Sequence, residues 1–174
     1  WNSLVGGRTV RERCERANAM NLISALVVSM ATAPGDLPVW LSISPSPDSG
    51  CFDCQDPPFV GDRTLYVWFG YDSFGEFAFD FVSTFDLIDF QPAPGFANVG
   101  TTFSPIIVPN GPPCSPTDYT LLGELTVRDE TGAGGAAWFE SSTSAPGLCF
   151  RGCYESEVYY WHWYHGYSTD GTVR

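Results

Sequence analysis

"TLYVWFGYDSFGEFAFDF", residues 64–81, decides how the rest of the chain is read. Leu65, Val67 and Phe69 alternate with Tyr66 and Trp68. After a break bounded by Gly70 and Gly75, Phe77, Phe79 and Phe81 alternate with Glu76, Ala78 and Asp80. Period two with one apolar face marks a half-buried antiparallel strand, because successive side chains point to opposite sides of the pleat. The same period recurs outward from this run. "VWLSIS" (39–44) sets Val39, Leu41 and Ile43 against Trp40, Ser42 and Ser44, and "LLGELTVRD" (121–129) puts Leu121, Gly123, Leu125 and Val127 on one face. "GAAWFESS" (135–142) and "CYESEVYYWHWY" (153–164) complete the set, the latter read as one long strand. With 18 Gly and 14 Pro punctuating 174 residues, many short strands joined by turns fit better than long helices. The spacing predicts a mainly β chain, an antiparallel β-sandwich or jelly roll. Two stretches, 44–62 and 104–118, read as long Pro-rich irregular loops; both carry cysteine, and a disulfide tying them together is the simple expectation.

The first 35 residues follow a different rule. Thr9 and Glu12 form a capping box, and Ala19, Leu22, Ile23, Leu26, Val27 and Met30 make an apolar stripe at helical spacing, stopped by Pro34-Gly35. A helix over about 10–31 is predicted, giving an N-terminal arm (1–35) and a β-sandwich domain (36–174). The segment also imitates a signal peptide, with arginines, then "LISALVVSM", then Ala31-Thr32-Ala33. Pro34 immediately after that cut disfavours cleavage, so the arm is expected to be retained and any export signal to lie upstream. The apolar run is too short to span a bilayer.

Charge separates the same two parts. The net charge is −12, and all eight basic residues are Arg. Residues 1–35 hold Arg8, Arg11, Arg13 and Arg16 against Glu12 and Glu15, net +2; the remaining four Arg face eighteen acids, net −14. Without lysine there is no side-chain amine for a Schiff base, a Walker-type phosphate contact or an isopeptide bond. So acidic a body does not suit nucleic acid, whose phosphates need a positive surface. A basic arm and an acidic body attract one another, within a chain or between chains.

Six cysteines, Cys14, Cys51, Cys54, Cys114, Cys149 and Cys153, in a Gly/Pro-rich acidic chain point to an oxidising, extracellular compartment and to disulfides. Fifteen pairings are open. The competing reading is a four-cysteine zinc site from Cys51, Cys54, Cys149 and Cys153, and it lacks the usual knuckle glycines. No metal or other cofactor is expected. Asp48, Asp53, Asp56 and Asp62 offer hard oxygen ligands on a loop, but their spacing matches no EF-hand, and an acidic loop is the simpler reading. There is no G-x-S-x-G, H-E-x-x-H or phosphate loop. His162 and His165 are the only histidines and, three apart on a strand, point to opposite faces. Glu155 and Glu157 share a strand face with carboxyl groups roughly 6–7 Å apart, compatible with a glycosidase pair by distance alone. A solvent-facing strand surface explains them more simply, and no catalytic residue is assigned.

The runs "TLYVWFGYDSFGEFAFDF", "FDLIDFQPAPGFANVG" (85–100) and "LLGELTVRDETG" (121–132) together resemble cohesin-like secreted bacterial sandwiches over about residues 64–132. That resemblance implies a jelly roll used for attachment or assembly, and it does not account for the arm or the cysteine-bearing loops.

"EVYYWHWYHGYSTDG" (157–171) carries two Trp, four Tyr and both His. Read as one strand, it presents Tyr159, Trp161 and Trp163 on one face and Tyr160 and His162 on the other. Aromatic area in excess of what one core face needs points to a binding surface. The expected function is therefore a structural subunit of an extracellular fibre or surface array, such as a biofilm filament, built from copies of itself head to tail. The arm (Trp1, Leu4, Val5, Arg8, Arg11, Arg13, Leu22, Ile23, Leu26) would dock on a neighbour near Tyr159, Trp161 and Trp163. The alternative is a secreted carbohydrate-binding module stacking polysaccharide on the same aromatic strand, and the third reading is a glycosidase-like enzyme.

Overall fold

The computed structural model describes residues 40–52, 54–70, 76–110, 119–144, 149–151, 158–159 and 163–171. The predicted helix over 10–31, and the rest of the arm, lie outside the described residues. The described strands, in chain order, are β1 (Trp40–Ser44), β2 (Cys54–Gln55), β3 (Gly61–Gly70), β4 (Glu76–Ala78), β5 (Asp80–Ser83), β6 (Asp86–Pro92) and β7 (Phe96–Asn98), then β8 (Ile106–Pro109), β9 (Thr120–Asp129), β10 (Ala136–Glu140), β11 (Cys149–Arg151), β12 (Val158–Tyr159), β13 (Trp163–His165) and β14 (Tyr167–Ser168). No helix occurs among the described residues.

Sheet A has the order β13-β1-β3-β9-β6, sheet B β2-β14-β10-β5 and sheet C β12-β11-β4-β8-β7. The alternating-Phe run forms two strands. β4 pairs in sheet C and β5 in sheet B, with only Phe79 between them. Sheets B and C are thus joined through one continuous segment. Pairing is antiparallel except for two short parallel contacts, β1 with β13 and β14 with β2.

The core follows the alternation. Leu41, Ile43, Leu65, Val67, Phe69, Leu125 and Val127 of sheet A are fully buried in one cluster with Phe77, Phe79, Ile107 and Tyr167 from the other sheets. Phe79 stacks against Phe77, Phe81, Phe90 and Phe139 at centroid distances of 5.0–6.4 Å. Each such ring pair contributes about 0.5–1.5 kcal/mol beyond area burial. In β9 the alternation fails. Leu122 is buried while Leu121 is only half-buried, because Trp68 pairs with Leu121 and Val67 with Gly123, leaving Leu122 as the extra residue of a bulge. The expected face Leu121–Gly123–Leu125 is corrected accordingly.

Two other expectations change. The segment 104–118, read as irregular, contains β8, whose Ile107 faces the core opposite Phe77. The C-terminal stretch is not one strand. β12 pairs in sheet C, β13 in sheet A and β14 in sheet B, so the chain changes sheet between each. Residues that a single strand would align belong to different sheets.

The turn from β9 into β10 is set by Asp129. Its Oδ1 accepts from the Thr131 and Gly132 amides and the Thr131 hydroxyl at 2.9 Å, and its Oδ2 from the Gly134 amide at 2.9 Å. Burial alone would push its carboxyl up, but these donors together hold it below the usual range. Gly134 adopts φ +83°, a left-handed conformation that side chains disfavour.

Candidate functional site

Because Leu41, Ile43, Leu65 and Val67 face the core, their neighbours form the outer face of sheet A. Register places Trp40 beside Gly70, Ser42 beside Trp68 and Ser44 beside Tyr66. Further across lie Leu121, Glu124, Thr126 and Arg128 of β9, then Gln91, Asp89 and Asp86 of β6.

The first row is an aromatic cluster. The Trp40 indole lies over Gly70 so closely that a Cβ there would come within 2.0 Å of its Cε2. Only glycine lets the ring approach the strand in this way. Two rings flank the indole. Phe52 stands at 5.5 Å with an interplanar angle of 49°, and Tyr119 at 5.2 Å and 54°. His165 of β13 meets Phe52 edge-on at 4.5 Å. Phe52 and Tyr119 remain 65% and 60% exposed, which is unusual for rings already in contact with others.

The loop carrying Phe52 is built to hold it. Cys51 and Cys54 are joined in a disulfide, Cα–Cα 5.8 Å, so the bridge closes inside this loop and does not tie it to 104–118 as expected. The Cys51 amide donates to Ser42 Oγ at 3.3 Å, Ser44 Oγ donates to the Ser49 carbonyl at 2.7 Å, and Trp68 Nε1 donates to the Ser46 carbonyl at 3.3 Å. Ser42 and Ser44 are thereby buried although they face outward. The loop covers the β1 side of the outer face and leaves the β9–β6 side to the polar rows.

Those rows are acidic. Arg128 makes a forked contact with Asp62, its NH2 at 3.0 Å, and the hydrogen-bonded guanidinium lowers that carboxyl while its own affinity for the proton rises. Asp86 lies beside Arg128 in register, and Asp89 and Glu124 occupy the rows above. On these facing rows four carboxylates, Asp62, Asp86, Asp89 and Glu124, meet one guanidinium, a balance of −3.

Other polar groups act as anchors. Arg63 bonds Asp56 at 3.1 Å and the Tyr167 hydroxyl at 2.5 Å, and it lies 4.3 Å over the Phe59 ring. Burial raises the Tyr167 phenol, so it stays protonated as a hydrogen-bonding partner. The Ser104 hydroxyl donates to Asp80 and accepts from Thr143 Oγ1 at 3.2 Å and the Ser144 amide at 3.1 Å, tying loop 99–105 to loop 141–144.

Of the residues singled out from sequence, Trp163 pairs with Trp40 and so reaches the cluster's row, whereas Tyr159 pairs with Phe150 in sheet C. Trp161, His162, Glu155, Glu157, Asp53, Cys14, Cys114, Cys153 and the arm residues Trp1, Leu4, Val5, Arg8, Arg11, Arg13, Leu22, Ile23 and Leu26 lie outside the described residues. Cys149 begins β11 opposite Ala78. Asp56 and Asp62 are each engaged by an arginine, and among the described residues no three His, Cys, Asp or Glu side chains gather as a metal set. Sequence reading missed Trp40, Phe52 and Tyr119. Trp40 was visible only as the polar-side member of an alternating strand, and the other two lie in or beside loops. Among the described residues no helix is long and apolar enough to cross a membrane.

No family model and no curated protein matches the sequence. The fold, however, is similar to the crystal structure of the seventh ScaB type I cohesin from Pseudobacteroides cellulosolvens, with a TM-score of 0.51 at 10% identity over 75% of this chain and 90% of that one. At that identity the likeness is one of fold, and it bears out the cohesin-like resemblance carried by residues 64–132: this chain folds as a cohesin-like β-sandwich.

Proposed function

We propose that this protein is a non-catalytic structural module of a bacterial extracellular or cell-surface assembly, in which copies join head to tail. Residues 1–35 of one copy act as an arm that docks on the sandwich, 36–174, of the next. One observation carries the reading: β1 begins at Trp40, the centre of an aromatic cluster whose Phe52 and Tyr119 stay exposed. The arm's net +2 against the body's −14 supports docking, and a cohesin-like fold suits a module that recognises a partner through its surface. A contact of this kind that does not close on itself generates a filament. Oxidising conditions suit the disulfide at Cys51–Cys54, and disulfides among Cys14, Cys114, Cys149 and Cys153 are part of the proposal.

Deleting residues 1–10 tests it. The truncated chain is expected to stay folded and monodisperse in solution and to form no filaments in negative-stain micrographs. Assemblies indistinguishable from those of the full chain would overturn the proposal. A second reading, polysaccharide binding, draws on the same cluster, since tilted exposed rings can stack on sugar faces. Trp40→Ala that abolishes retention on polysaccharide while leaving assembly intact would select it.

A further inference from the structure

We infer that the outer face of sheet A over β9 and β6 is the seat of residues 8–30, the arm's apolar half resting on Tyr119 and Leu121 and its arginines on the acidic rows beyond. This deepens the proposal that the arm docks, and rests on it.

Three features of the molecule converge on this face. The first is an open face among the described residues, where Asp86, Gln91 and Glu124 are exposed. Loop 45–52 is bonded over β1 and Trp68, so an added layer on sheet A has β9 and β6 to lie on. The second is order. Along β9 the face changes from apolar to acidic: exposed Tyr119 and half-buried Leu121 come first, then Glu124, then Arg128 between Asp62 and Asp86. The arm changes in the same sense away from Trp40. Its apolar stripe, Leu22 to Met30, lies nearer to Trp40 in the chain, and Arg8, Arg11, Arg13 and Arg16 lie farther away.

The third is length. From position 121 to position 127 a strand advances about 20 Å. From the middle of the arginine group, near position 12, to the middle of the stripe, near position 26, a helix advances about 21 Å. A helix laid along β9 therefore brings both groups into place at once. The ten chain steps from Met30 to Trp40 span up to about 33 Å, more than enough to cross the two strand spacings from β1 to β9, about 10 Å. Charge agrees: four arginines against two glutamates meet rows with a balance of −3.

The test uses the full chain with a photocrosslinking residue, Leu26→p-benzoylphenylalanine in one preparation and Arg13→p-benzoylphenylalanine in another. Each is irradiated as an equal mixture of nitrogen-14 and nitrogen-15 protein. The expected result is that position 26 links to peptides spanning 66–70 and 119–122, and position 13 to peptides spanning 86–91 and 124–128. Glu124→Arg should lower the position 13 link by up to about fivefold and leave the position 26 link unchanged. Links between differently labelled chains uphold both the seat and the head-to-tail reading. Links confined to one label, but on these peptides, uphold the seat and overturn the exchange between copies. Links from position 26 to sheet B or sheet C, or the two positions exchanged in their targets, overturn the seat whatever the labels show. A mature chain whose intact mass begins after Ala33 removes the occupant and overturns both.

Discussion

The substitution Gly70→Ala isolates the contact on which the aromatic cluster is built. Gly70 has an ordinary negative φ, so alanine is permitted by the backbone and any penalty is one of space. The added Cβ would stand 2.0, 2.1 and 2.5 Å from Cε2, Nε1 and Cζ2 of Trp40, well inside van der Waals contact. Both positions are paired in the ladder, so the strand cannot withdraw cheaply and the indole must swing out. Overpacking of this kind costs about 1–3 kcal/mol. Loss of the contacts with Phe52 and Tyr119 adds about 0.5–1.5 kcal/mol each. A net destabilisation of about 1–6 kcal/mol is expected in urea unfolding, once the gain of up to about 1 kcal/mol from restricting the unfolded chain is subtracted, with a changed tryptophan signal in near-ultraviolet circular dichroism. In a Trp40→Ala background the obstacle is gone. The same Gly70→Ala should then be neutral or stabilising by a few tenths to about 1 kcal/mol, since alanine restricts the unfolded chain more than glycine. The unfolded-chain gain is common to both backgrounds, so the coupling between the two sites is expected at about 2–6 kcal/mol. An equal cost for Gly70→Ala in both backgrounds would refute the argument that Trp40 occupies the space above this glycine.

Asp129→Asn should weaken the β9–β10 turn in a pH-dependent way. Its carboxyl is held below the usual value, so its contribution is complete above about pH 4 and fades as pH falls through the depressed folded value. The stability gap between wild type and variant should narrow below about pH 4, and a gap constant from pH 7 to pH 2 would show that the carboxylate charge plays no part. Replacing Cys51 and Cys54 together by serine should lower stability by about 2 kcal/mol, as expected for a short closed loop. It should also free Phe52 from Trp40, read as altered near-ultraviolet dichroism; a variant unchanged in both measurements would mean that the loop is held by Ser42, Ser44 and Trp68 without the bridge.

Much of this architecture is local and therefore legible in one dimension. Alternation in 64–69, 76–81 and 121–129 is a property of each strand by itself, because the pleat dictates which side chains share a face. It was enough to specify a sandwich and its core phenylalanines, and the charge count alone gave the contrast between residues 1–35 and 36–174. Which sheet a strand joins is not local, since all three sheets bury the same kind of pattern. Residues 76–83 therefore read as one strand although the chain passes from sheet C to sheet B at Phe79. The stretch 153–164 read as one strand although β12 and β13 within it enter different sheets and β14 just beyond it enters a third. The bulge at Leu122 also came from pairing, as the register of β3 against β9 shifts by one residue and turns Leu121 outward. The candidate site is the strongest case. Trp40, Phe52, Tyr119 and His165 come from a strand start, a disulfide-closed loop, a loop end and a C-terminal strand, and none carries a motif. They meet because β1 lies between β3 and β13 and because Gly70 leaves room for an indole, two facts that exist only once the sheets have assembled.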